Sequence, residues 1–466
     1  MLFGVCAVLF LLSGTTFFGY DGEIMYRVSE SLVLRHSIQI IDPIYHINQP
    51  YGGYAIGLSL LMAPLVAMGA LLLHDPRALV TLLEPMLTAG AVVTLNLLLV
   101  KLGCSRRRSL VIALVYAFGT LAWHYTGVLF TEPATGLCLT LTLFGLLAYR
   151  RQARVRWLVL AGGAVGVAVT LRWDAVLTVA VPTGLFALWM VARSVGRWRP
   201  RALSVALFGA PIMAGIAINL AYDLVRFAKP LGGAYAADPL GFPTPLLTGI
   251  YGLLFSPGVG LFVYTPVLLM SVLAFPAFLR RWRMEALLIL ALFAVRVLFY
   301  ARWWAWDGGG TWGPRFLVPL LPLLLVPLAF LPRKRRFAIA TGALALVGIG
   351  IQVLDQLVPY GLYYATVVTQ LTTQLGICHG CVPFPGSQTE AVSRITDFDW
   401  RYAPIVVQLK YLLQGIMAPA WAPLALLVPP VLLGGGAVLA RLYALVGDAE
   451  NRTATSHQIL HSEPTD

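Results

Sequence analysis

Residues 54 to 73 read YAIGLSLLMAPLVAMGALLL, and whether this run crosses a bilayer decides how the whole chain is threaded. It is twenty residues long, about the length that spans a hydrocarbon layer roughly 30 Å thick. Pro64 interrupts it, Gly57 and Gly69 lie within it, and Gly52 and Gly53 stand just before it. Cleaner apolar runs flank it, Leu2 to Phe18 and Leu79 to Val100. Three crossings from a cytoplasmic N-terminus would leave Arg106 to Arg108 outside, whereas short arginine clusters mark cytoplasmic loops. The run is therefore assigned to an external loop, 19 to 78, as a re-entrant segment beside juxtamembrane helices. Such backbone is tolerated at membrane depth when it is buried against protein.

The clusters further along agree with this assignment. Arg106 to Arg108, Arg150 to Arg156, Arg193 to Arg201, Arg280 to Arg283 and Arg333 to Arg336 are separated by paired apolar runs, each pair crossing out and back. The pattern predicts an all-α polytopic membrane protein of about twelve transmembrane helices, near 2–18, 79–101, 109–130, 133–149, 157–172, 175–193, 202–222, 259–279, 285–302, 315–332, 337–357 and 418–443. The expected organisation is a transmembrane module over 1–357, an external loop over 358–417, a last transmembrane helix over 418–443 and a cytoplasmic tail over 444–466. On this map 15 of the 20 acids but only 12 of the 33 bases are external.

Composition excludes a water-soluble fold, because 59% of residues are hydrophobic and 11% charged, against roughly 45–50% and about 25% in soluble domains. The net charge of +13 is explained by the cytoplasmic clusters, so no nucleic-acid partner is expected. The first apolar run lacks a basic flank and a small-residue exit, and is read as a retained span. No Gly-rich nucleotide loop, His-Glu-x-x-His or Gly-x-Ser-x-Gly occurs.

The acids gather at the outer ends of helices and in three external loops, 19–78, 223–258 and 358–417. Carriers more often place ionisable groups at the midplane, so chemistry is expected at the outer interface. Asp21-Gly22-Glu23 precedes an amphipathic stretch, Ile24 to Leu34. Its spacing fits a helix N-terminus and a catalytic carboxylate equally well. Glu132, in Thr131-Glu132-Pro133, opens a later span, and Glu84 lies one turn into the second. A carboxylate confined there is costly unless it is used or reaches the interface. Trp303-Trp-Ala-Trp306-Asp307-Gly-Gly-Gly-Thr-Trp312-Gly-Pro-Arg315 joins two spans. Interfacial aromatic belts account for Trp303 and Trp304. Three glycines followed by Arg315 suit close backbone approach and bidentate recognition of a phosphate, with Arg226, Lys229 and Arg302 as further basic groups. Cys378 and Cys381 fit a small disulfide clip better than zinc, which would need two more ligands.

The segments YDGEIMYRVSESLV, YGGYAIGLSLLMAPL, FTEPATGLCLTL, GLLFSPGVGLFVYTPVLL and WGPRFLVPLLP resemble the GT-C glycosyltransferase superfamily, which includes protein O-mannosyltransferases and aminoarabinose transferases. They are most similar to a group of bacterial GT-C-like membrane proteins, over roughly residues 15 to 335. The resemblance implies a bacterial inner-membrane enzyme that moves a sugar from a polyprenyl-phosphate donor to an acceptor hydroxyl or phosphate on the extracytoplasmic face, usually with inversion. Asp21 matches the first-loop catalytic carboxylate, Glu132 the second acid, and Glu23 completes an Asp-x-Glu variant. Family members often carry a lysine where Gln49 to Gly53 stand here, which shifts donor-phosphate binding to Arg315 or Lys229, with Arg226 and Arg302 nearby. Tyr51, Glu84, Trp306, Asp307 and Trp312 are expected in the substrate cavity. A divalent ion on Glu23 and Glu132 is compatible with the pattern but not required by it. Membrane lipids are expected partners, and the glycan, lipid or protein acceptor is left open. The alternative from another class is a non-catalytic carrier or flippase for a lipid-linked glycan.

Overall fold

Apolar runs with few charges satisfy their backbone groups internally by becoming helices, and the computed structural model contains no β-strand among the residues it describes, 1–13, 18–41, 50–193, 198–231, 241–376 and 388–416. The expected last helix 418–443, the tail 444–466 and the Cys378 and Cys381 pair lie outside the described residues. The first ten helices are α1 (Leu2–Ser13), α2 (Gly19–Arg35), α3 (Gly57–Leu73), α4 (Leu83–Lys101), α5 (Arg106–Phe118), α6 (Thr131–Gln152), α7 (Arg156–Leu171), α8 (Val181–Ala192), α9 (Trp198–Phe227) and α10 (Leu246–Phe255). Two long helices follow, Arg283–Arg302 and Arg335–Leu357.

Among the described residues, five helices are long and apolar enough to cross a membrane: Val80–Lys101, Thr131–Gln152, Arg201–Phe227, Arg283–Arg302 and Arg335–Leu357. Several of the twelve expected spans are instead shorter or broken, for local reasons. The expected span 109–130 is helical only to Phe118, then bends at Gly119 through the turn His124–Thr126. The span 259–279 breaks between Leu261–Tyr264 and Leu268–Arg281, at Pro266. The span 315–332 is 3₁₀ over Arg315–Leu320 and Val326–Phe330, where Pro319 and Pro327 remove N–H donors from the α ladder, with one α turn, Leu321–Leu324, between them.

One contiguous apolar core runs from α1 through α4, α5, α6 and α7 to helix Arg283–Arg302. At one end of it the basic clusters meet. Arg150 pairs with Glu285 and lies 5.1 Å from the Trp282 ring centroid. Arg108 donates to the Leu328 and Leu331 carbonyls at 2.6 and 2.9 Å, just before Arg333. The opposite end carries Asp21. The segments entering and leaving α3 both return to the first turns of α2 there: Tyr54 donates to Asp21, and Arg77 pairs with Glu23. Ser59 bonds the Met25 carbonyl at 2.8 Å, and Met62 and Val66 are buried with Met25 and Tyr26. Both flanks of α3 thus lie at the Asp21 end.

Candidate active site

Asp21 occupies the first turn of α2, where a carboxylate suits the exposed N–H groups of a helix start. Gly22 lets that turn close on the chain entering α6, because a Cβ at Gly22 would stand 2.5 Å from the Leu129 carbonyl oxygen. Glu132, in the first turn of α6, is thereby brought close to Asp21 and is fully buried. Arg315 joins them, with Nη2 2.6 Å from Asp21 Oδ2 and Nε 3.1 Å from Glu132 Oε1. It is delivered by the turn Gly308-Gly309-Gly310, whose φ values of 92°, 74° and 76° favour glycine. Its guanidinium lies 4.1 Å from the Phe130 ring centroid, an arrangement arginine favours.

The network continues beyond these three residues. Arg172 Nη1 is 3.5 Å from Glu132, its Nε is 2.8 Å from Asp174, and its Nη2 donates to the Tyr300 hydroxyl at 3.0 Å. Arg296 stands 3.9 Å from Asp174 and donates to Thr178 at 3.2 Å. Three carboxylates, Asp21, Glu132 and Asp174, therefore alternate with three arginines, Arg315, Arg172 and Arg296. The Tyr54 hydroxyl donates to Asp21 Oδ1 at 2.6 Å. Burial pushes the Asp21 carboxyl up, but the charge and hydrogen bond of Arg315, the Tyr54 hydrogen bond and the charge of Arg172 together hold it below its ordinary value.

Asp21, Arg172, Asp174 and Arg315 head a cavity of about 440 Å³, which Glu132 and Arg296 do not line. Asp21, Arg172, Asp174, Asp223, Arg226 and Arg315 form its polar wall, and Met25, Phe130, Leu171, Leu177, Phe242, Phe299 and Trp303 much of the rest. Arg226 is turned to structural partners, donating to the Gly52 and Tyr54 carbonyls and pairing with Asp223.

The structure brings Asp21, Glu132 and Arg315 together and separates other expected site residues from them. Glu23, two positions from Asp21, faces Arg27 and Arg77, because successive helical residues do not share a face. Glu132 faces Arg315 and Arg172 as Glu23 faces Arg27 and Arg77, so each carboxylate considered for a divalent ion already faces a cation. Among the described residues, no three His, Cys, Asp or Glu side chains gather as a metal site. Glu84 is buried near Glu132 but does not line the cavity. Trp312 is buried edge-on against Tyr264, its indole N–H donating to Gln352. Tyr51 accepts from Gln39 at 3.4 Å. Arg302 is exposed and donates to the Phe242 carbonyl at 2.9 Å, and Lys229 is exposed beyond α9. Trp306 and Asp307 line a different cavity.

Sequence reasoning missed Tyr54, Arg172, Asp174, Arg296 and Tyr300. Arg172-Trp-Asp174 carried a signal, since two charges interrupt apolar runs there without belonging to an arginine cluster.

The backbone matches the crystal structure of ArnT from Cupriavidus metallidurans bound to undecaprenyl phosphate, with a TM-score of 0.53 over 95% of this chain and 74% of that one. The chain has the fold of ArnT. The apo form of the same ArnT matches with a TM-score of 0.51, over 91% of this chain and 76% of that one. Identity is 14% in both comparisons, so the shared property is the fold. No protein-family model and no curated protein matches the sequence. Within this fold, the carboxylates and arginines of the Asp21 end come from α2, α6, the turn after α7, helix Arg283–Arg302 and the segment opened by Arg315.

Proposed function

We propose that this chain is a membrane glycosyltransferase that moves a sugar from a polyprenyl-phosphate donor to an acceptor hydroxyl at the extracytoplasmic surface. The observation that carries this reading is the contact of Asp21 with Arg315 at the head of a largely apolar cavity. A carboxylate and a guanidinium there supply the two functions the reaction needs, a base for the acceptor and a cation for the departing phosphate. The undecaprenyl phosphate bound in the ArnT structure of the same fold is consistent with it.

In this mechanism the donor phosphate binds Arg315 and Arg172, and the prenyl chain follows the apolar wall. The acceptor oxygen attacks the anomeric carbon while its proton passes to Asp21, and the bond between that carbon and the phosphate oxygen breaks. The polyprenyl phosphate leaves with the bonding electrons, held by the arginines. The empty site is close to electrically balanced, so an incoming phosphate competes with Asp21 for Arg315. Once Arg315 turns to phosphate, burial acts on Asp21 with less opposition and makes it a stronger base. Donor binding thus activates the base, which limits wasteful chemistry in the empty enzyme.

The test is transfer from labelled polyprenyl-phosphate sugars by purified protein, followed by mass analysis of the acceptor pool. Asp21→Asn is expected to lower turnover by about 10² to 10⁴ and, by removing the carboxylate that competes with phosphate for Arg315, to leave donor binding at least as tight as in the wild type. Turnover unchanged by Asp21→Asn rejects Asp21 as the base, and donor binding without any transfer points to a carrier.

A further inference from the structure

A second cavity, of about 710 Å³, lies at the Asp21 end between α10, the Trp304–Asp307 segment and helix Gln388–Phe398. Resting on the glycosyl-transfer reading above, we propose that this cavity is the acceptor subsite and binds a neutral, hydroxylated sugar ring.

Its walls combine aromatic faces with two acids. Tyr251 and Phe398 are stacked, with ring centroids 6.0 Å apart and planes 14° from parallel, and Trp306 lies 5.7 Å from Phe398. Trp304 also lines the space. Flat aromatic faces suit the C–H faces of a sugar ring, which bury apolar area without demanding hydrogen bonds. Asp397 is only 6% exposed, and its Oδ2 has no hydrogen-bond partner. A buried carboxylate oxygen left in this state carries an uncompensated desolvation cost, which a ligand hydroxyl would relieve. Asp307 is half-buried, with Oδ1 accepting from the Gly309 N–H at 3.1 Å. Burial pushes both carboxyls up; the charge of Asp307 adds to this at Asp397, whereas backbone N–H groups and the charge of Arg315 oppose it at Asp307. The unpartnered Asp397 Oδ2 and the remaining lone pairs of Asp307 can accept from the hydroxyl groups of a sugar ring.

Two observations set a sugar ahead of a cation. Arg394, exposed on the same helix one turn from Asp397, also lines the cavity and disfavours a positive ligand. Among the described residues there is no third acid, histidine or cysteine to complete a metal site.

The position suits an acceptor. The two cavities share a wall in which residues 241–244 pair with 302–304. Trp304 N–H bonds the Gly241 carbonyl at 3.3 Å, Thr244 N–H the Arg302 carbonyl at 3.2 Å, and Thr244 Oγ1 the Trp303 carbonyl at 2.8 Å. Gly241, Phe242 and Trp303 line the Arg315 side, and Pro243, Thr244 and Trp304 the other. The cavities approach each other at Asp307-Gly308, since the Gly308 carbonyl accepts from Arg315 at 3.4 Å. This wall stands between the two cavities, so an acceptor held here meets the donor only past its Asp307-Gly308 edge, beside Arg315.

The experiment is saturation-transfer NMR on the protein in lipid nanodiscs, with the methyl glycosides of mannose, glucose, galactose and N-acetylglucosamine as probes. Undecaprenyl phosphate binding is measured separately on the same samples. At least one glycoside is expected to bind, and Asp397→Asn and the exposed-site variant Tyr251→Ala are each expected to weaken it about tenfold, the loss of one good polar or stacking contact. Undecaprenyl phosphate binding should be unchanged by either. Absence of binding by all four glycosides, or binding that survives both substitutions, overturns the site. Binding of ethanolamine in place of the glycosides overturns the assignment to a neutral sugar. Glycoside binding that depends on Asp397, in protein that fails to bind undecaprenyl phosphate, leaves the sugar site standing and overturns its role as an acceptor subsite.

Discussion

Arg315 holds two carboxylates that the chain delivers from distant segments, and its replacement separates charge from geometry. Arg315→Ala would leave Asp21 without its main cation and Glu132, fully buried, with only Arg172 at 3.5 Å. Breaking such a buried pair from one side costs about 3–5 kcal/mol, so the variant should unfold at a visibly lower temperature in detergent. Arg315→Lys restores a charge but cannot reach both acids with one ammonium. Part of the lost stability should return while transfer stays down by about 10² to 10³, the range for losing a positioned electrostatic donor. If Lys restores transfer fully, the two-pronged geometry is irrelevant to catalysis. Asp21, Glu132 and Arg315 were legible in the sequence because each sits where a long apolar run begins or ends, and a charge there needs a reason. Arg172 and Asp174 were less legible, since adjacent opposite charges between two helices look like an ordinary turn. The pairing of Glu23 with Arg77 was not legible, because Arg77 reaches it only after α3 has folded back.

At the scale of elements, the site depends on how closely α2 seats against the chain entering α6. Gly22 makes that contact, and an added methyl would have to push past the Leu129 carbonyl. Gly22→Ala is expected to cost about 1–3 kcal/mol as an overpacked contact. Its effect on transfer should be larger, about 10²-fold, because a shift near 1 Å displaces Asp21 from the reacting atoms. A variant with wild-type turnover would mean that α2 tolerates repositioning. The sequence indicated where apolar helices occur but not how they end. Helix ends are set by single residues, such as Gly119 after α5 and the prolines that turn 315–330 into 3₁₀ segments. Hydropathy averages over a window and cannot see them.

At the scale of the whole molecule, the arginine clusters at one end and the carboxylate site at the other make the threading testable. With native cysteines replaced, His36→Cys and His74→Cys flank the run that the parity argument removed from the spans, and Arg107→Cys lies in the first cluster; all three native side chains are exposed. A membrane-impermeant maleimide should label positions 36 and 74 in intact cells, and position 107 only after permeabilisation. Opposite accessibility of 36 and 74 would make α3 a true crossing and reverse the threading beyond it. The parity of the clusters was legible because charge asymmetry is global, whereas the second cavity was not, since its lining runs from Pro243 to Phe398 in sequence. The alternating acids and arginines also bear on how the protein is made. Asp21 and Glu132 are synthesised well before Arg315, so a growing chain holds them without their shared counter-ion until its final third has been inserted. A truncated product ending ahead of Arg315 would keep those charges unmatched at the membrane surface, which ties completion of the reaction centre to survival of the newly made polypeptide.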